Sequence, residues 1–487
     1  MAGELGCGNE SFTYFVSMPQ FTLITRTNTG GSMSGFGFTP NNGDGDDNSD
    51  AEKSQNPANN GPFGFANFGD IFQQFSGMGL NLQALMASLS GQASPSALSQ
   101  QMIRDISRKY LTAHGELPVS VQDLVATQEA FDIADLWINE ATTFPTLVIP
   151  DTCALSRRDW IDSTLAGWEE LAKPLVDGMS HAMSEMLKET LGNESENENE
   201  SLPGFAIPGF GNMNISQSSI AAIMGTFMSS LISTQLGQTI GNLSTSVTGA
   251  NDVALPLTSP IRPQLIPQNV TQWGKDLEIP EAEIRIYLAL REIAAARLFA
   301  ATPWLREYVR NSIATYGKGI RVDITAITQQ AEDAMNSGQL DPSNPESMTL
   351  ALSGGMFTPE ETPTQKAALE RLETVLALIE GWIDAVVTQA AGDRLPSMIR
   401  LRETQQRRRA TNSPTQQLFA TLVGLEVSPR RTREAIAFWE KIAVLKDIQI
   451  RDQIWDESFL LPTSDDLSNP ESFLKAREIP DDLSGLQ

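Results

Sequence analysis

Ile284-Arg-Ile-Tyr-Leu-Ala-Leu-Arg-Glu-Ile-Ala-Ala-Ala-Arg-Leu-Phe299 and Val375-Leu-Ala-Leu-Ile-Glu-Gly-Trp-Ile-Asp-Ala-Val-Val387 are two runs that read as buried helices. A helix that is apolar on nearly every side belongs in a core. Yet the first run carries Glu292, and the second carries Glu380 and Asp384. Burying a carboxylate is expensive unless it is paired or bound to a metal. Glu292, Glu380 and Asp384 are therefore the candidate site residues of this chain. Neither run contains a histidine.

Both runs have helix punctuation. The first follows Pro280, a favourable first-turn residue, and stops before Pro303, which disfavours helix at Thr302. The second opens with Thr362-Pro-Thr-Gln365, a capping box with proline at the first helical position, and ends at Gly392. Helices are thus predicted over 281–301 and 363–391. Between 374 and 391 only Glu380 and Asp384 are charged. They are four residues apart and share a face, so a cation or a shared proton is expected beside them. Salt bridges are the plainest expectation. For Glu292 the partners in view are Arg291, Arg297 or a distant arginine; for Glu380 and Asp384 they are Arg430, Arg431 or Arg433.

Helical periodicity extends outward over 96–113, Ser120–Thr142, Ser156–Leu191, Ile215–Thr245 and Arg433–Leu445, with Ser156 as an N-cap and Asp159 three residues later. Gly225, Ser229, Ser233, Gly237 and Gly241 recur every four residues, which puts small side chains on one face for close helix packing. Strand signals are few. Thr146-Leu-Val-Ile149 and Gly319-Ile-Arg-Val-Asp-Ile-Thr325 are the best of them. The fold class is mainly α, with few short strands.

Residues 1–65 are low in complexity, and Thr39-Pro-Asn-Asn-Gly-Asp-Gly-Asp-Asp-Asn-Ser-Asp50 is too polar to bury, so a disordered tail is expected. Residues 66–94 form an amphipathic linker with Ile71, Phe72, Phe75, Leu80, Leu82, Leu85, Met86 and Leu89. A folded body follows over 95–475, and 476–487 reads as an irregular tail. The whole stretch from 461 onward is turn-rich.

The chain has 487 residues and a formal net charge of −26. That balance argues against nonspecific nucleic-acid binding. The clusters Arg407-Arg-Arg409 and Arg430-Arg-Thr-Arg433 are expected to pair internally. The two cysteines, Cys7 and Cys153, make no disulfide framework, which fits a reducing compartment. No stretch of about 18 uncharged apolar residues calls for a membrane span. No basic-then-apolar start suggests a signal peptide, and the expected location is the cytoplasm. Two histidines, His114 and His181, limit any imidazole chemistry.

Several motifs carry a resemblance: Ser34-Gly-Phe-Gly-Phe-Thr-Pro40, Tyr287-Leu-Ala-Leu-Arg-Glu292, Arg297-Leu-Phe299, Pro303-Trp-Leu305, Asp341-Pro-Ser-Asn-Pro345, Ala351-Leu-Ser-Gly-Gly355, Glu380-Gly-Trp382, Phe419-Ala-Thr-Leu-Val-Gly-Leu425 and Pro429-Arg-Arg431. From about Met33 to residue 475 the chain resembles the actinobacterial branch of the zincin-like metallopeptidase family, whose members are often labelled hydrolases or zinc-dependent metalloproteases. The resemblance implies a zincin-like helical body. In relatives that look like enzymes, a histidine follows the first glutamate by three residues, where this chain has Ala295. Those relatives also carry a Glu-Gly-His-x-Glu-His pattern, where this chain has Glu380-Gly-Trp-Ile-Asp-Ala385.

Zinc peptidase chemistry needs about three protein ligands and an open position for water. Alanine offers no lone pair, and the indole N–H only donates. The leading expectation is a catalytically inactive member of the family that binds a protein or peptide, with no metal and no cofactor. The rival is a metal-dependent hydrolase with a carboxylate-rich site built on Glu292, Glu380 and Asp384, in which zinc or a harder ion returns. A third reading is a structural adaptor that makes contact through its Gly/Phe tail.

Overall fold

A computed structural model of the chain describes residues 98–191, 217–320, 362–417 and 429–477. The expectations for the tail, for the 66–94 linker and for the motifs within 321–361 and 418–428 lie outside the described residues. Helices account for nearly all regular structure: α1 Gln100–His114, α2 Val121–Ile138, α3 Arg157–Leu191, α4 Gln217–Ser244, α5 Pro267–Gly274 and α6 Glu281–Ala301. They continue as α7 Trp304–Gly317, α8 Pro363–Ala391, α9 Met398–Asn412, α10 Pro429–Leu445, α11 Ile448–Gln453 and α12 Pro470–Arg477. All of these lie in one compact unit, Phe65–Gln487.

The caps form as the sequence predicts. Thr362 accepts from the Gln365 amide while the Gln365 side chain accepts from the Thr362 N–H. Ser120 with Asp123 and Ser156 with Asp159 make the same reciprocal pair. Gly392 ends α8 with a positive φ of 46°.

α6 and α8 are buried nearly all round and form the centre of the core. α6 packs on α2, and α8 on α10, α7 and α6. Gly381 lets α8 and α10 approach closely, since a Cβ there would lie 2.8 Å from the Ala435 carbonyl carbon. The small-residue seam of α4 receives α1. Ser107 Oγ donates to the Gly237 carbonyl at 2.9 Å, and a Cβ on Gly237 would meet Ile106 at 2.9 Å. Residues 363–394 contain an 18-residue window of mean hydropathy 1.3, of which 78% is buried inside the fold. Among the described residues this is the only helix long and apolar enough to cross a membrane, and it is a core helix here.

Two local expectations change. Thr146–Ile149 forms no strand. It lies between Pro145 and Pro150, and no second strand among the described residues offers a ladder. In place of strands, the described residues show isolated bridges from Leu265 to Ala154 and to Gly249. The stretch from 461 onward contains α12, where Asn469 Oδ1 accepts from the Ser472 N–H.

Candidate functional site

Glu292 sits on α6, 3% exposed, facing the loop between α4 and α5. That loop is tied down by four main-chain bonds: Leu265 N–H to Cys153, Leu155 N–H to Leu265, Ala250 N–H to Gln264 and Ile266 N–H to Thr248. So held, it aims donors at the carboxylate. Asn251 Nδ2 donates to Oε1 at 2.7 Å, the Gln264 amide at 3.1 Å, and the Asn251 amide to both oxygens at 3.1 Å. Gly249 makes room, because a Cβ there would stand 2.4 Å from Oε2.

The expected ion pair for Glu292 does not form. Arg291 is rotated about 100° away on the same helix and serves Glu380. Arg297 reaches α2 instead, where it donates to Asp135 at 2.5 Å and to Asn139 at 2.7 Å. Burial without a counter-charge pushes the Glu292 carboxyl up to about 8, and the hydrogen bonds from Gln264 and Asn251 only partly oppose it. At neutral pH this carboxyl is mostly protonated.

Glu380 and Asp384 are paired, but with other arginines than expected. After the Gly392 turn, α9 folds back on the core, and Arg402 and Arg409 stand two turns apart on it. Arg291 and Arg409 both meet Glu380 Oε1, the latter through Nε at 3.3 Å. Arg409 also pairs with Asp252, which accepts from the Thr248 amide at 2.8 Å. Arg402 meets Asp384 Oδ2 through Nε at 2.7 Å and Nη2 at 2.6 Å, and reaches Glu440 at 2.6 Å. Arg431 goes to Glu373 at 3.5 Å and to Thr374 at 2.8 Å. Burial alone would raise Glu380 and Asp252. The guanidiniums of Arg291 and Arg409 outweigh it for Glu380, chiefly Arg409 for Asp252, and both fall below the ordinary carboxylate range. For Asp384 burial wins and its carboxyl rises, with Arg402 holding it back.

Glu292 and Glu380 therefore converge on one small cavity of about 10 Å³, with Asp252, Asn251, Arg291 and Arg409 around it and Ala295 in its wall. Asp384 is one helical turn further along α8, outside that wall. The volume suits about one water molecule. Arg291 Nε and Nη1 and Asn251 Oδ1 are buried with no hydrogen-bond partner. Arg291 and Asn251 both line the cavity, so a metal ion there would meet donors as well as acceptors. A metal ion needs acceptors throughout.

Zinc does not fit these residues. Glu380 Oε1, Asp252 Oδ1 and Asp384 Oδ2 already accept from guanidiniums. Ala295 and Ala385 present methyl groups. Trp382 donates its Nε1–H to Asp452 Oδ1 at 3.0 Å. Among the described residues, no group of three His, Cys, Asp or Glu side chains is placed to hold a metal ion. His114 ends α1, exposed and stacked on Tyr110 at 4.0 Å, and His181 is exposed on α3.

Asp452 belongs to a second buried network that the sequence did not signal. It accepts from Thr142 Oγ1 at 2.7 Å, the Thr143 amide at 2.8 Å and Arg451 Nε at 2.9 Å. Arg451 lies 5.7 Å above the Trp382 ring and donates to Gln389 and to the Ala141 carbonyl. Trp382 thus clamps α8 to α11 and to the end of the α2 segment.

The architecture is a helical body whose two central helices enclose a carboxylate–arginine site. The model of the zincin-like metallopeptidase family matches residues 99–474, and the chain belongs to that family. No curated protein matches it. Among solved structures it is similar to the crystal structure of "a putative hydrolase with a novel fold from Chloroflexus aurantiacus", at 18% identity and a TM-score of 0.49, over 78% of this chain and all of that one.

Proposed function

We propose that this chain is a catalytically silent member of the actinobacterial branch of the family, and that it acts in the cytoplasm by binding a protein or peptide. One observation carries the reading: two buried arginines, Arg291 and Arg409, converge on Glu380 Oε1, and Arg409 also holds Asp252 Oδ1, so that cations already stand where a metal would have to sit. Guanidinium–carboxylate pairs supply both the charge and the directed donors that such oxygens require. Ala295, Trp382 and Ala385, at the positions where the resemblance puts histidines, add no ligand. Nucleic acid remains a poor partner for a chain of net charge −26. The buried free thiol of Cys153 suits a reducing compartment.

The test is metal content by inductively coupled plasma mass spectrometry on protein purified without a histidine tag. The expected result is no stoichiometric divalent ion, no change in Tm on adding Zn²⁺, Mn²⁺, Mg²⁺ or Ca²⁺, and no turnover of a peptide library. About one ion per chain that survives dialysis, with peptide turnover lost in Glu380→Gln, would establish the carboxylate-rich hydrolase instead.

A further inference from the structure

Among the described residues, α2 is packed on one side only. Thr127, Ala130, Phe131, Ala134 and Ile138 face the core, where α6 and α8 lie. The opposite side carries Val121, Val125, Ile133 and Leu136, which are 79%, 51%, 37% and 64% exposed. At 100° per residue these four fall on one stripe, roughly 22 Å long from Val121 to Leu136. Single exposed apolar residues are ordinary, but an aligned stripe of them marks a contact surface.

The charge around the stripe selects its occupant. Residues 115–156 contain seven acidic residues and no Lys, Arg or His. Glu116, Asp135 and Glu140 are satisfied by Arg158, Arg297 and Arg394, and Asp123 by its capping box. Glu129 and Asp132, in the middle of the stripe, are exposed and pair with no cation among the described residues. A second copy of this surface would bring like charges together. Residues 66–97 of the chain itself are apolar but hold no Lys or Arg, so they would leave both carboxylates unpaired. An anionic lipid surface would be repelled.

We propose that the outward face of α2 docks a basic amphipathic helix of a partner protein, about four turns long, with its apolar side on Val121, Val125, Ile133 and Leu136 and its cations at Glu129 and Asp132. This is the helix-on-helix mode of recognition, with apolar anchors at i, i+3 and i+4 spacing. It rests on the reading of the chain as a binding protein and names the partner's chemistry.

The probe is a fluorescein-labelled 18-residue Leu/Lys amphipathic peptide, titrated with the full chain in about 0.15 M salt, where surface charges are screened beyond about 8 Å. The same pattern built from Leu and Glu is the control. We expect Val125→Asp/Leu136→Asp and Glu129→Lys/Asp132→Lys each to weaken Leu/Lys binding at least about tenfold, with unchanged melting curves. The first variant is decisive, because it adds negative charge. Mere attraction of a cationic peptide to an acidic protein would leave its affinity equal or higher, and that result overturns the proposal. So does equal binding of the Leu/Glu peptide. A concentration-dependent dimer that the first variant dissolves would assign the face to a second copy and overturn it too. None of these outcomes bears on the silent site, which stands or falls on metal content and turnover.

Discussion

Glu292→Gln separates a protonated buried carboxyl from an ionised one. Glutamine has nearly the shape of the protonated acid and keeps one carbonyl oxygen for Asn251 Nδ2 and the Gln264 amide, but it cannot ionise. In the folded protein the wild-type carboxyl titrates at about 8, against 4.5 when unperturbed. Between those values the native state binds one more proton than the unfolded chain, so stability falls as pH rises. The contribution is complete below about pH 4.5 and gone above about pH 8. At about 1.4 kcal/mol per pH unit, the full span is at most about 5 kcal/mol, with relaxation and water entry reducing it. The assay is urea unfolding followed by tryptophan fluorescence, for both proteins, from about pH 5 to pH 9. The difference between variant and wild type cancels every other titrating group. The variant should lie within about 1 kcal/mol of the wild type near pH 5, gain on it by up to about 1.4 kcal/mol per pH unit, and level off above pH 8. A difference that stays flat within about 0.5 kcal/mol would mean that Glu292 is ionised in the fold, and the argument from burial without a cation would be wrong.

Glu380→Gln strands Arg291 and leaves Arg409 with Asp252 alone, and should lower stability by about 3–5 kcal/mol in the same unfolding assay, with no peptide turnover expected of either protein. Because Glu380 titrates below its ordinary range, its contribution is present above that range and lost as pH falls, so the variant should also show a shallower acid limb in a Tm-against-pH series. Gly249→Ala puts a Cβ 2.4 Å from Glu292 Oε2 and 2.8 Å from the Gln264 carbonyl, and the overpacking should cost about 1–3 kcal/mol, read as a lower urea midpoint with an unchanged slope. Asp452→Asn leaves the fully buried Arg451 without its carboxylate; hydrogen exchange should then accelerate across 448–455 before the rest of the molecule.

What the sequence made legible was whatever depends on local pattern. α6 and α8 follow from apolar runs closed by proline, a capping box and Gly392, and the α4 seam follows from small residues four apart. That Glu292, Glu380 and Asp384 need partners follows from charge within those runs. The partners themselves are set by tertiary approach. Glu292 is held mostly by main-chain N–H groups from a loop 28 to 41 residues upstream, and an amide donor leaves no mark in composition. Arg409 was visible only as one of three consecutive arginines. Its neighbours diverge, since Arg407 pairs with Glu403 on the surface and Arg408 lies 4.5 Å over Trp273. Position on α9 decides which of the three enters the core. Thr146–Ile149 has strand composition without a strand to pair with, and a β-branched run cannot supply its own ladder.

Placing histidines at 295, 382 and 385 is the strictest trial of the silent-site reading, because the residues that stand there have other work. Trp382 is fully buried, packs 5.2 Å from the Phe144 ring and donates to Asp452, so Trp382→His removes a large packed side chain and a hydrogen bond that helps hold α11. Loss of that volume alone is worth about 3 kcal/mol. Ala295 and Ala385 are 3% and 6% exposed in a close-packed core, and an imidazole at either site overpacks it by about 1–3 kcal/mol. Even a folded triple variant would leave Arg291 and Arg409 on Glu380, and a dication placed there would meet two positive charges at contact distance. The expectation is that Ala295→His/Trp382→His/Ala385→His melts lower than the wild type and binds no stoichiometric zinc by equilibrium dialysis. Adding Arg291→Met and Arg409→Met should be required before any zinc is retained, because only then is Glu380 Oε1 free and the competing positive charge gone. Tight zinc binding by the triple variant with both arginines in place would show that the guanidiniums yield readily to a metal, and that the arginine lock is not what silences the site.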